Sequence, residues 1–303
     1  MVLPGTQVCS TRGISDLIHS LGGLRLLLNL LNSWRNCSGS DVCSEILHLL
    51  AVVLRNNSSN QSMLMTENTS MILNILINDI KSSHNSAEMI HGLIAICKAV
   101  SSASVHHILY CNILFNFEIW FRSPEPKLVP LLDELGSELL SWRKDTLHSS
   151  GLTVSNVLDA IRIIPTDMDV TVRPKMLRIL EAVFVAGSVD MQEDSKALVA
   201  FIVGCDDAGA IADILTLLWR VVSGALEVVE NGTALVATET GQSAKDASDN
   251  ALQTVQAYLM SASGVDSILF VLTNEMTEVV LLGLKLAVYL LAVCRASASE
   301  VTP

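Results

Sequence analysis

The chain has 303 residues, half of them hydrophobic, with 17% charged and only 4% aromatic. That length suffices for one large domain or two smaller ones, and aliphatic richness without aromatics favours helix-on-helix packing over a β-sandwich. The net charge is −12, from 31 acidic and 19 basic residues; with no Lys/Arg cluster in the chain, a phosphate-binding face for nucleic acid and a basic membrane-binding patch are both excluded.

Helical period dominates from the start. "GGLRLLLNLL" (22–31) is Leu-rich on more than one face, and Gly22–Gly23 reads as a tight corner before it. In "DVCSEILHLLAVVLRNN" the residues Val42, Ile46, Leu49, Leu50 and Val53 recur at spacings of three and four, with Asp41 as N-cap and an Asn/Ser run as stop. "NQSMLMTENTSMILNILINDIKSS" predicts a short helix, a polar break and a longer helix. "SAEMIHGLIAICKAVSS" follows with Met89, Leu93, Ile96 and Val100 in phase. A further helix is expected from about 104 to 121, closed by Pro124 and Pro126. Beyond it the pattern predicts helices near 127–142, 152–163, 172–186, 191–203, 208–229, 244–262, 264–272 and 275–295. The linkers between them are short and polar ("IPTDMDVT", "AGSVD", "GCDDAG"). The longest is "NGTALVATETGQSAKD", read as a loop although "TALVATET" has some strand-like character.

A string of amphipathic helices, several of them apolar on two faces, predicts an all-α fold, an irregular armadillo/HEAT-like α-solenoid. No strict 40- to 47-residue period is present, which leaves a globular helical bundle as the alternative. The expected organisation is a helical-repeat region over 1–230, a flexible loop over 231–246, and helices over 247–303 that continue the solenoid. "VVLLGLKLAVYLLAVC" (279–294) is apolar except for Lys285. It is shorter than the roughly 20 residues that span a bilayer, and a central lysine opposes insertion, so it is read as a packed helix with membrane insertion as the alternative.

The search for chemistry returns structural readings. Cys9, Cys37, Cys43, Cys97, Cys111, Cys205 and Cys294 are odd in number and form no C-x-x-C, so they read as free thiols of a reducing compartment. Sequons at Asn36, Asn56, Asn57, Asn60, Asn68 and Asn231 are read as chance in an Asn/Ser-rich chain, since "MVLPGTQVCSTRG" has neither the charged nor the apolar region of a signal peptide. His106 and His107 point about 100° apart on a helix and cannot grip one ion from one face; Cys111 can share a side with His107, but no third ligand is near. The carboxylate pairs Asp167–Asp169 and Asp206–Asp207 precede helices and are read as N-terminal caps, not as acid–base pairs. No H-E-x-x-H, P-loop, G-x-G-x-x-G or G-x-S-x-G occurs, and no catalytic, cofactor-binding or metal-binding residue is assigned. In "ILYCNILFNFEIWFRSPEP" (108–126) Leu114, Phe117, Trp120 and Phe121 are expected on one stripe and Ile108, Phe115 and Ile119 on a second. They read as core anchors of a helix sandwiched between layers.

"GTQVCSTRGISDLIHSLGGLRLLLNLL" (5–31) and the 108–126 stretch together resemble the neurobeachin-type BEACH-domain proteins, in the helical segment that follows a concanavalin-like module. The residues that carry the resemblance are Gly5, Thr6, Gly22 and Gly23, then Leu114, Phe115, Asn116, Phe117 and Trp120, with an Asn-Gln-Ser-Met turn at 60–63 between them. It covers 5–125 well and the rest loosely. It implies a cytoplasmic, non-enzymatic scaffold, peripherally associated with membranes, that acts through protein partners and neighbouring domains of a larger chain in vesicle trafficking and autophagy. It implies no cofactor and no nucleic acid.

Overall fold

A computed structural model describes residues 23–34, 40–55, 57–64, 71, 73, 86–100, 109–142, 144–187, 190–224 and 244–299. Among these residues every regular element is a helix. Contacts divide the chain into two compact units, 1–134 and 135–303.

The first unit contains α1 (Gly23–Trp34), α2 (Ser40–Leu54), α3 (Ser58–Leu64), α4 (Ala87–Ala99), a π turn (Tyr110–Leu114), α5 (Phe117–Trp120) and the start of α6 (Glu125–Ser141). Gly23 opens α1 with φ +58°, which fits the expected corner, where a side chain would be strained. Leu24, Leu27, Leu28 and Leu31 of α1 are buried, whereas Leu26 and Leu30 are exposed. α2 lies against α1 and α4. Of its expected face Ile46, Leu50 and Val53 are buried while Leu49 turns outward, and Cys43, Leu47 and Leu54 widen the buried arc. The approach to α4 is close because Gly92 has no side chain: a Cβ there would stand 2.9 Å from Leu47 Cβ.

α3 supplies amides to two helix ends. The last carbonyls of a helix have no partner within it. Asn60 Nδ2 donates to Val53 O at 3.0 Å, and Gln61 Nε2 donates to Leu54 O at 2.9 Å and Ala99 O at 2.8 Å. The Asn-Gln turn thus closes the C-termini of α2 and α4 together. Asn60 is fully buried, so its sequon cannot carry a glycan in the folded chain. The buried Ser44 hydroxyl of α2 has no hydrogen-bond partner. Ser44→Ala is therefore expected to raise stability by about 1 kcal/mol, read as a higher urea midpoint with an unchanged m-value.

The expected continuous helix over 104–121 is corrected by the structure. Residues 101–108, with His106, His107 and Ile108, lie outside the described residues. From Tyr110 the chain makes one π turn, in which Phe115 N–H donates to Tyr110 O at 2.7 Å. The ladder then breaks at Asn116 (φ −83°, ψ 83°), and α5 starts afresh at Phe117. The wider turn and the break remove Leu114 from the i, i+3, i+4 stripe. Instead, its carbonyl accepts the Trp120 indole N–H at 2.9 Å, across the break. Phe117 and Phe121 do share a face, their rings 6.2 Å apart, and Tyr110 stacks on Phe115 at 5.7 Å. Leu114, Phe115, Phe117, Ile119, Trp120 and Phe121 are all buried, so their reading as core anchors holds although the single helix does not. Pro124 ends this run by accepting from Lys127 and Leu128 at the head of α6.

The second unit continues with α7 (Lys144–Ser150), α8 (Val154–Arg162), α9 (Asp169–Ala186), α10 (Met191–Gly204), α11 (Ala208–Val222), α12 (Ala244–Met260), α13 (Ala262–Val271) and α14 (Thr277–Ser299). α7 was not expected from periodicity; at seven residues it is too short to show any. The expected 208–229 helix ends at Val222, because Gly224 takes a left-handed φ of +68° just past the cap. The 231–246 segment lies almost wholly outside the described residues, which resume at Ala244. Pro174 sits inside α9, and the carbonyl it leaves unpaired is on Val170, 88% exposed and open to water.

Besides the neighbouring pairs α8–α9, α11–α12, α12–α13 and α13–α14, packing runs at a lag of two or three helices. α7 meets α9, α8 meets α10, α9 meets α11 and α12, α10 meets α12 and α13, and α11 meets α14. α7 to α11 are thus each covered by a helix two or three places further on, which is how an α-solenoid buries its core. The polar linkers supply the caps: Thr153 forms a capping box with Asn156, Asp190 accepts from Gln192 and Glu193, and Ser261 accepts from Gly264.

Candidate functional site

The carboxylate pairs of the sequence take on separate tasks. Asp207 is the N-cap of α11, its Oδ1 accepting from Gly209 N–H at 2.8 Å and Ala210 N–H at 3.2 Å. Its Oδ2 binds the Arg173 guanidinium of α9, which also holds Asp169 on the first turn of α9 and, at 3.3 Å, Asp213 on α11. Asp167 and Asp206 remain exposed. The cap reading of Asp207 is thus observed, but Asp169 works mainly as an ion-pair partner. Gly209 lies close beneath the guanidinium: a Cβ there would stand 3.0 Å from Arg173 Nη1. Burial holds the Asp213 carboxyl above its usual range, and Arg173 partly offsets this. Sequence reading missed Arg173 because its partners Asp207 and Asp213 lie 34 and 40 residues away.

Removing one member of a partly buried ion cluster leaves the others uncompensated. Arg173→Met is expected to cost about 2 kcal/mol, less than a fully buried pair would, because Asp207 and Asp213 are about half exposed to water. Chemical denaturation at pH 7 checks it.

A cleft of about 460 Å³ lies between α7, α8 and α10, with Leu147, Leu152, Val183 and Ala197 on its walls. Its polar groups are engaged in the fold: His148 Nε2 stands 2.8 Å from Gly187 O, Asp190 caps α10, and Glu193 holds Lys196 at 2.6 Å. Cys111 is half-buried, and burial raises its thiol pKa. Among the described residues, no three His, Cys, Asp or Glu side chains are gathered to hold a metal. No disulfide joins the five described cysteines (Cys43, Cys97, Cys111, Cys205 and Cys294).

The most distinctive surface is on α14. One face, with Val279, Leu282, Gly283, Leu286 and Leu290, is buried. α14 packs on α11 and α13. The approach to α13 needs Gly283, where a Cβ would stand 2.7 Å from Val271 Cγ1. Tyr289 OH accepts from Gln256 Nε2 of α12 at 2.8 Å. Lys285, in the middle of the apolar segment, places its ammonium 5.8 Å from the centre of the Trp219 ring, where the ring face attracts it while the group stays in water. The other face is open: Leu281, Leu284, Val288 and Leu291 are 53%, 46%, 65% and 63% exposed. By length and composition, Thr277–Arg295 is long and apolar enough to cross a membrane.

These features frame what the chain is similar to. BEACH domain-containing protein B of Arabidopsis thaliana is 21% identical over 266 residues, 73% of this chain and 10% of that protein. Putative neurobeachin homologs of Caenorhabditis elegans and Caenorhabditis briggsae are 27% and 26% identical over 147 residues, 45% of this chain and 6% of each relative. The chain thus spans a tenth or less of the length of these curated relatives. No solved structure matches it. The family model described as Neurobeachin/BDCP, DUF4704 alpha solenoid region, matches residues 1–164, which hold the Asn-Gln turn, the π turn and the Trp120 anchor. With more than half of its length matched, and a helix stack of the kind that description names, the chain belongs to the Neurobeachin/BDCP alpha-solenoid family.

Proposed function

We propose that the chain is a non-enzymatic helical-repeat scaffold segment of a BEACH-type protein, mediating protein–protein interactions in vesicle trafficking, membrane dynamics and autophagy. The observation that carries this reading is the layered packing of α7 to α14, in which α7 to α11 are each covered by a helix two or three places on. Such a stack offers long, rigid faces to protein partners. The polar groups of the cleft between α7, α8 and α10 are bonded into the fold, which also favours a scaffold over a catalyst. Its partners would be proteins and neighbouring domains of a larger BEACH-type chain. Its location would be cytoplasmic, with peripheral membrane association.

The test is made in cells that carry the tagged chain at native level. The chain is expected in a light-membrane fraction from which alkaline carbonate releases it, and its deletion is expected to slow vesicular cargo delivery or autophagic flux. A diffuse chain whose deletion leaves both unchanged overturns the reading. The alternative, insertion of the 279–294 helix into the bilayer, draws on the apolar length of Thr277–Arg295. Against it stands the packing of Val279, Leu282, Leu286 and Leu290 inside the fold. A carbonate-resistant chain would favour insertion.

A further inference from the structure

We propose that the open face of α14 is a self-association surface, on which a second copy of this chain seats its own α14 in antiparallel orientation. The inference stands on α14 alone and is independent of the trafficking role.

The first argument is spacing. Leu281, Leu284, Val288 and Leu291 follow one another at three, four and three residues. This is the alternation of a coiled-coil seam, whose natural complement is another helix with the same spacing. The second argument is symmetry. A three-four-three order reads the same in both directions. An antiparallel copy therefore sets Leu281 against the partner copy's Leu291, and Leu284 against its Val288, across a two-fold axis. A two-fold contact requires such self-complementarity of one patch.

The third argument is area. At exposures of 53%, 46%, 65% and 63%, the four side chains offer about 400 Å² of apolar surface per copy, or about 800 Å² across a pair; at the roughly 65% apolar share of homodimer interfaces, this is the centre of a contact of about 1,200 Å², the lower end of stable interfaces. Charge permits the approach. The chain as a whole is at −12, but the described part of α14 carries Glu278 against Lys285 and Arg295, so its face does not share the general repulsion. The same acidic total opposes adsorption on an anionic bilayer.

The experiment uses the whole chain in sedimentation equilibrium at 0.15 M salt. The unmodified chain is expected at twice its monomer mass at tens of micromolar. Leu284→Glu and Val288→Lys are each expected to give monomers with unchanged far-ultraviolet dichroism, since both side chains point to water. Mixing the two variants is expected to restore the dimer, because the antiparallel register sets the new glutamate against the new lysine. An unmodified chain that stays monomeric overturns the proposal, and flotation of that monomer with neutral vesicles would assign the face to a lipid surface instead. A dimer that survives either substitution, or folded variants that do not pair when mixed, also overturns it. If either variant loses its helical dichroism, hydrogen exchange on the unmodified chain decides: protection over 281–291 must rise with concentration, and flat protection overturns the proposal.

Discussion

Trp120→Ala is expected to lower the unfolding free energy by about 4 kcal/mol, enough to unfold the first unit of a marginally stable chain. The side chain is fully buried, and among the described residues of that unit it is the largest with no accessible surface. Its removal opens a cavity that the stacked Phe117 and Phe121 cannot fill without breaking their own contact. It also removes the donor to Leu114 O. That carbonyl was freed when the π turn ended the helical ladder, and it is buried, so the loss leaves an unsatisfied acceptor. Trp120→Phe separates the two effects: it keeps most of the volume but removes the indole N–H, and is expected to cost about 2 kcal/mol. The two unfolding curves, followed by helical dichroism in urea, check both values. Equal losses in the two variants would mean that the hydrogen bond, and not the volume, dominates.

Gly264→Ala is the second large effect, at about 3 kcal/mol or more. Gly264 stands at the corner between α12 and α13, where a Cβ would lie 1.9 Å from Tyr258 O. That oxygen belongs to the backbone and cannot swing aside. The corner is also cross-tied. Gly264 N–H donates to Ser261 Oγ at 2.9 Å, and Ser261 Oγ donates to Tyr258 O at 2.7 Å. Ser267 Oγ donates to Gly264 O at 2.7 Å, and with its one proton so used it accepts from Tyr258 OH, also at 2.7 Å. Burial pushes the Tyr258 phenol up to about 12, so it remains the donor at neutral pH. A methyl group at 264 forces this ring of bonds open and tilts α13 away from α12. The expected readout is a lower thermal midpoint, together with faster hydrogen exchange across the α12–α13 corner. An unchanged midpoint would mean that the corner relaxes at little cost.

Much of the fold is legible in the sequence because helices that pack in layers show their buried faces as spacings of three and four. Met89, Leu93, Ile96 and Val100 were in phase and are buried. The N-cap residue Asp207 was legible for a similar reason: a carboxylate two or three residues before an apolar run has local donors to meet. The resemblance carried by Phe115, Phe117 and Trp120 gave the family, and their burial gives the physical basis of that pattern. Local spacing failed where the deciding contact does not follow the helical period. Periodicity makes one helix of 104–121, whereas the described part has a π turn and a break at Asn116, tied by the Trp120 indole on Leu114 O. Of the Arg173 cluster only the Asp169 pair, at i,i+4, was local; Asp207 and Asp213 arrive from another helix and were invisible. The sequence by itself determined that this chain is a succession of amphipathic helices in a known solenoid family, since those facts rest on spacing and on residue identity. Which of two apolar faces of a helix is covered depends on what stands against it, and only the tertiary structure decided that for α14, setting Leu282 and Leu286 inward and leaving Leu284 and Val288 open.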